Sequence, residues 1–179
     1  MILTRQKIIA AVRSGDILIE PFDQRHVSTN AYDWHLGDVI RVCSDPVLDA
    51  AAVTRFTEQE IRPEGMVLVP GELYLGITHE RTCSEAYAQL INGDRSVGAL
   101  GVWVHVSAPL GHVGHAIRWT LEIRVARAVR VYPRMAFGKI VFVAPHGDSV
   151  SYQQVGRKYR SSSGIDVSQL YDEVERGAR

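Results

Sequence analysis

One carboxylate stands in the middle of a run that otherwise has the character of a strand: Ile117-Arg118-Trp119-Thr120-Leu121-Glu122-Ile123. In an extended chain alternate residues share a face, so Glu122 and Thr120 point one way and Trp119 the other. A carboxylate among apolar neighbours is pushed toward its protonated form, which suits general acid–base work near neutral pH. The same Glu122 could instead pair with Arg118 or Arg124, and locally the two readings stand even.

Other chemistries find less support. Zinc deaminases of nucleobases set a His or Cys near a Glu and add two Cys two residues apart. The two cysteines here, Cys43 and Cys83, lie far apart, so neither a zinc site nor a disulfide scaffold is expected. They are read as reduced thiols. His112 and His115 are three apart, but Gly111 and Gly114 beside them indicate an exposed loop. No Walker-type loop and no dinucleotide fingerprint occurs. The segment Asn92-Gly93-Asp94-Arg95-Ser96-Val97-Gly98 offers an Arg, a hydroxyl and approachable backbone, a combination that suits phosphate. By itself it is read as a surface turn, because Asn-Gly is a common hairpin pair.

The elements that must carry these residues are mostly short strands. Residues 4–14 form an expected helix, with Thr4 as cap, an apolar stripe of Ile8, Ile9 and Val12, and Gly15 as stop. Beyond it, runs rich in β-branched and aromatic residues recur at 17–19, 38–43, 66–69, 73–78, 102–107, 117–125, 128–132 and 139–143, separated by Gly, Pro, Asn and Asp. Val102, Val104 and Val106 alternate with Trp103, His105 and Ser107, as in a half-buried strand. This pattern predicts a mainly β barrel or sandwich. Residues 44–62 are expected to form a polar insertion with a helical turn near 57–61. Residues 146–166 are polar, with a possible helix at 168–176. Arg157, Lys158 and Arg160 flank Tyr159, which fits either a solvated basic stretch or a flap over an anion; composition favours the former.

The chain has 179 residues, enough for one domain. Apolar residues make up 46% and charged residues 22%, which excludes a disordered or fibrous chain. Lys+Arg 20 against Asp+Glu 20 gives zero net charge, so nucleic acid and membrane surfaces are not expected partners. Arg5 and Lys7 interrupt the N-terminal apolar residues, so neither a signal peptide nor a membrane span is expected there. A cytoplasmic protein is expected.

In order along residues 1–170, the motifs resemble the dCTP deaminase branch of the dUTPase/dCTP deaminase superfamily. Ile19-Glu20-Pro21-Phe22-Asp23 with Tyr32-Asp33-Trp34-His35-Leu36-Gly37 is similar to its N-terminal signature. Pro70-Gly71-Glu72-Leu73, Thr78-His79-Glu80-Arg81, and the run from Gly101 to Ala108 follow in the same order. Thr120-Leu121-Glu122 resembles the strand bearing the catalytic Glu. Tyr132-Pro133-Arg134-Met135 resembles a Pro-Gly-Met turn with Arg134 in the Gly place, and Lys158-Tyr159-Arg160 with Gly164 resembles a nucleotide-covering tail.

The resemblance implies a distorted, jelly-roll-like (dUTPase-like) β-barrel with a short N-terminal helix. It implies a single domain over 1–179, with 146–179 a tail over the site, and a homotrimer with sites between subunits. It further implies zinc-independent deamination of a cytosine nucleotide, with Mg²⁺ held by the substrate's phosphates rather than by a protein cluster. Glu122 would activate water for attack on C4 and pass the proton to the leaving ammonia. Backbone near Thr120 and Leu121 would read the base, Ala108 would lie near the water, and Lys158 would meet phosphate. Tyr152 stands one position from the family tyrosine. Shifted by one residue, Arg95-Ser96 restores the active segment's Arg-Ser pair, which implies a catalytic place for Ser96 and a phosphate contact for Arg95.

Three positions depart from that pattern. Asp94 stands for an Arg, Ala99 for a second Arg, and His112 for the Asp that would hold the sugar 3′-hydroxyl. His112 can still hydrogen bond a hydroxyl, or meet phosphate when protonated. Two alternatives therefore accompany the deaminase reading: a non-catalytic nucleotide-binding or regulatory relative, and a dUTPase-type pyrophosphatase. The last needs an acid near His112 to place water, and none aligns.

Overall fold

The computed structural model describes residues 1–104, 108–155, 158–159 and 164–177. It opens with helix α1 (Arg5–Ser14), which buries Ile8 and Ala11 and ends on Gly15 at φ +85°, a left-handed turn that glycine adopts without strain. Thr4 occupies the N-cap position but makes no side-chain capping bond.

Eleven strands follow among the described residues: β1 (Ile17–Glu20), β2 (Tyr32–Cys43), β3 (Phe56–Glu60), β4 (Met66–Leu68), β5 (Tyr74–Ser84), β6 (Ala88–Gly93), β7 (Val102–Trp103), β8 (Leu110–Gly111), β9 (Ile117–Val125), β10 (Val129–Val131) and β11 (Ala136–Val143). Nine join one antiparallel sheet in the order β7-β9-β5-β2-β11-β6-β8, with β1 on β5 and β3 on β2; β4 and β10 pair separately. Register shifts between Leu36 and Ile40, Ile77 and Arg81, and Ala136 and Gly138 curl the sheet around its core. This is the mainly β, jelly-roll-like architecture expected. Trp34, Tyr32, Phe137, Phe142 and Leu121 fill the interior and are fully buried, each worth about 1.5–3 kcal/mol of apolar burial. Gly138 lets β11 cross Trp34: a Cβ there would collide with the indole and with the Asn92 carbonyl.

Some local expectations are corrected. Residues 57–61 are not a helical turn but lie mostly in β3, whose residues pair with Val39–Cys43 of β2. The exposed Glu58 and Glu60 suit an edge strand, and the cross-strand ladder overrides a weak local preference. Asn92-Gly93 is not a hairpin turn: it ends β6, and α2 (Arg95–Ala99) begins directly after it. The 102–107 strand is described only to Val104, with Val102 and Val104 buried and Trp103 57% exposed; 105–107 lie outside the described residues. Short helices α3 (Tyr152–Val155) and α4 (Tyr171–Gly177) lie in the tail. Cys43 and Cys83 are free thiols. Among the described residues no helix is long and apolar enough to cross a membrane.

Candidate functional site

Strand β9 separates its two faces as the sequence predicts. Trp119, Leu121, Ile123 and Val125 are buried in the core, while Thr120 and Glu122 are half-buried on the other face. Across the ladder Glu122 faces Leu75 and Thr120 faces Ile77. These two residues head a second apolar cluster, completed by Ile165 from the tail and flanked by Val39, Phe56, Leu73 and Val167. Glu122 therefore sits at the border of an apolar patch outside the main core. Because the Leu121 side chain is fully buried, only its backbone could meet a ligand.

The tail lies on this face. The Asp166 N–H donates to Thr120 Oγ1 at 2.8 Å, and Arg41 donates to the Ile165 carbonyl at 2.7 Å. The Tyr159 hydroxyl donates to the Val167 carbonyl and accepts from the Gln169 N–H, both at 3.3 Å. The basic stretch is therefore partly docked, where composition favoured a solvated one. Its Arg157 and Arg160 lie outside the described residues. Lys158 is half-buried and its ammonium meets Glu173 at 2.8 Å, so contact with phosphate would require leaving that carboxylate.

A second anchor is the loop between β8 and β9. The Tyr152 ring stacks on His112, with centroids 4.9 Å apart and planes 4° apart, and on His115, at 4.4 Å and 30°. The Tyr152 N–H donates to the Val113 carbonyl at 2.8 Å, and its hydroxyl donates to the Lys158 carbonyl. Gly114, at φ +75°, fits against Ser151 where any Cβ would collide with the serine side chain. His115 corrects the reading of both loop histidines as exposed: it is 7% exposed, with Nε2 2.9 Å from the Tyr159 carbonyl. A carbonyl only accepts, so Nε2 carries a proton. Burial holds the His115 pKa below its ordinary value, and nearby His112 adds to this, against the raising influence of the Tyr159 hydrogen bond and Asp166.

Arg95 and Ser96 are placed apart from this group. Both are exposed at the start of α2, where Ser96 donates its N–H to Asp94 Oδ1 at 2.8 Å. Among the described residues neither meets β9 or the tail. Asp94 caps α2 and reaches Lys139 at 3.4 Å, and these bonds, the Ser96 N–H foremost, lower its pKa. Its negative charge is thus directed onto a helix start and a lysine. Ala108 is exposed, directly after the undescribed segment.

So the structure joins His112, Tyr152 and Lys158 through the tail, and docks the same tail on Thr120, which shares its strand face with Glu122. The sequence reading missed His115, Tyr159, Ile165 and Asp166. The Gly111–His115 pattern was visible, but nothing local shows that a tyrosine 37 positions beyond His115 covers it.

A family model described as dCTP deaminase-like matches residues 2–144. The chain belongs to the dCTP deaminase-like family. It is 37% identical over 174 residues to a dCTP deaminase of Rhodopirellula baltica, covering 97% of this chain and 86% of that protein. It is 34% identical over 176 residues to a "dCTP deaminase, dUMP-forming" of Clostridium beijerinckii, covering 98% and 100%. A crystal structure of 2′-deoxycytidine 5′-triphosphate deaminase from Agrobacterium tumefaciens superimposes with a TM-score of 0.64 at 20% identity, over 81% of this chain and 48% of that one. The present chain spans about half the length of that solved chain, and the likeness shows the shared fold. Both of those curated relatives carry the dCTP deaminase name, and this chain shares their family.

Proposed function

We propose that this protein deaminates a cytosine deoxynucleotide hydrolytically, with Glu122 as the general base. The observation that carries the reading is the placement of Glu122: a half-buried carboxylate at the edge of an apolar patch, on the strand face where the tail docks through Thr120. Family membership and the relatives' names support it.

In this mechanism Glu122 takes a proton from water, and the hydroxide adds to C4 of the base. The C4 amino nitrogen then receives that proton, and the proton of the added hydroxyl passes to N3 through the same carboxylate. The C–N bond breaks, ammonia leaves, and the C4 carbonyl of the uracil nucleotide forms. One carboxylate that accepts and returns a proton contributes about 10²–10⁴-fold to such a rate. Backbone at Thr120 and Leu121 reads the base edge and Ala108 borders the water. Tyr152, His112 and Lys158 meet sugar and phosphate once Lys158 exchanges Glu173 for the substrate. Magnesium arrives on the substrate's phosphates.

Arg95 and Ser96 complete the site from a neighbouring subunit of a homotrimer. Their exposure on α2, with Leu100 and Trp103 exposed close by, supports this arrangement. The trimer should have a solution mass of roughly three times 19.9 kDa, and a clean monomer would dismantle the shared site.

The test is ammonia release from deoxycytidine mono-, di- and triphosphates. Glu122→Gln should lower it by at least about 100-fold with the fold intact. Full turnover in that variant would defeat the mechanism, and binding without turnover in the wild type would leave a nucleotide-binding relative instead. A second reading, in which phosphate is also removed, is favoured by the relatives named dUMP-forming. Release of dUMP rather than dUTP would establish it.

A further inference from the structure

The same outer face carries an unbalanced charge cluster at the other end of β9. Glu20, Arg81 and Arg118 are cross-strand partners over β1, β5 and β9. Arg81 and Arg118 therefore stand directly opposite each other with side chains on one face, an arrangement that is destabilising when nothing lies between the charges. Glu20 meets Arg81 only at 3.9 Å, with both side chains well exposed, so it offsets little.

The surroundings leave that charge unbalanced. Between Ile77–Thr120 and Arg81–Arg118, β5 has three intervening residues against one on β9, so His79 and Glu80 ride on a bulge. Glu80, 2% exposed, is already committed to His35: one oxygen accepts the His35 N–H at 2.8 Å, and the other lies 2.6 Å from Nδ1. Arg134 comes from the turn before β11, its N–H donating at 2.8 Å to the carbonyl of Leu36, which is itself the cross-strand partner of Thr78. Arg134 adopts φ +58°, a left-handed conformation that an arginine enters at a cost. His79 is held below its ordinary pKa by burial first, against the raising influence of Glu80, with Arg134, Arg118 and His35 adding to the lowering. Among the described residues no carboxylate lies within ion-pair distance of Arg118 or Arg134.

We propose that Arg81, Arg118 and Arg134, with His79 beside them, bind a phosphate-bearing small molecule at a site separate from Glu122. Guanidinium groups present paired N–H donors that match phosphate oxygens, and a multiply charged anion relieves the Arg81–Arg118 repulsion. The cluster is one patch on a chain of zero net charge, so it suits a small anion rather than a nucleic acid.

The test is thermal unfolding of the full chain with inorganic pyrophosphate, dCTP or deoxycytidine, in the wild type, Arg118→Ser, Arg81→Ser/Arg118→Ser and Glu122→Gln. Pyrophosphate should raise the wild-type Tm saturably. Arg118→Ser should increase the half-saturating concentration at least tenfold without lowering the ligand-free Tm, and the double variant should abolish the response. dCTP should lose in Arg118→Ser only the part of its shift that pyrophosphate shares, keeping the part due to the Glu122 site, and any deoxycytidine shift should be independent of Arg118, which locates recognition at the second site in the phosphates. Glu122→Gln should keep the pyrophosphate response even if it loses turnover, so this site and the deaminase reading fail separately. If Arg118→Ser does not fold, Arg134→Gly carries the same comparison. The proposal is overturned by an absent or unsaturable wild-type shift, by an equal shift in Arg118→Ser, or by loss of the shift in Glu122→Gln.

Discussion

Gly114 is the place where the tail can be loosened without touching the core. Its φ of +75° costs an alanine about 1 kcal/mol. The new Cβ is also driven into Ser151 and lies 2.9 Å from Glu85 Oε2, so the start of α3 must move away. That movement removes the hydrogen bond from Tyr152 N–H to the Val113 carbonyl, worth about 1 kcal/mol, and the stacking of Tyr152 on His112 and His115, worth about another 1 kcal/mol. Together Gly114→Ala should weaken docking by about 3 kcal/mol, or about 100-fold at 1.4 kcal/mol per factor of ten. Hydrogen exchange reads this directly. Amides at 152–155 should lose protection about 100-fold, while those of β2 and β11 stay slow because no core residue is altered. Turnover should fall with docking, because Tyr152 and Lys158 leave the site. Unchanged exchange at 152–155 in a folded variant would show that the loop does not hold the tail.

Tail docking should also depend on pH. His115 has a docked pKa below its ordinary 6.5, so docking is fully stable above about pH 6.5 and weakens as pH falls toward the docked value. Protection factors at 152–155, corrected for the intrinsic pH dependence of exchange, should fall over that window, and His115→Gln should flatten the dependence. Arg134→Gly removes a left-handed arginine, which should stabilise the fold by about 1 kcal/mol. A Tm increase of about 2–4 °C by calorimetry would bear this out; a decrease would show that the side chain contributes more than its backbone costs.

The mainly β class was legible because it follows from period: Val102 and Val104 inward with Trp103 outward, and Trp119 and Leu121 inward with Glu122 outward, as the structure shows. The ordered motifs likewise carried the family. Pairing was harder. Strand β3 was missed because its exposed residues have no apolar alternation and exist as a strand only through the edge of β2. Asp94 stood out as an acid where the family pattern has an arginine. It is directed onto α2 and Lys139, and Lys139 lies 45 residues further along the chain.

Periodicity and residue order are local properties, so the chain alone settles which face Glu122 takes and which family its motifs follow. Tertiary structure alone decides what lies over that face. Ile165 and Asp166 reach Leu75 and Thr120, His115 meets Tyr152, and Arg81 is set against Arg118, through contacts spanning from 37 to 90 residues. Such contacts depend on sheet register and on bulges that re-aim side chains, and no local pattern encodes them.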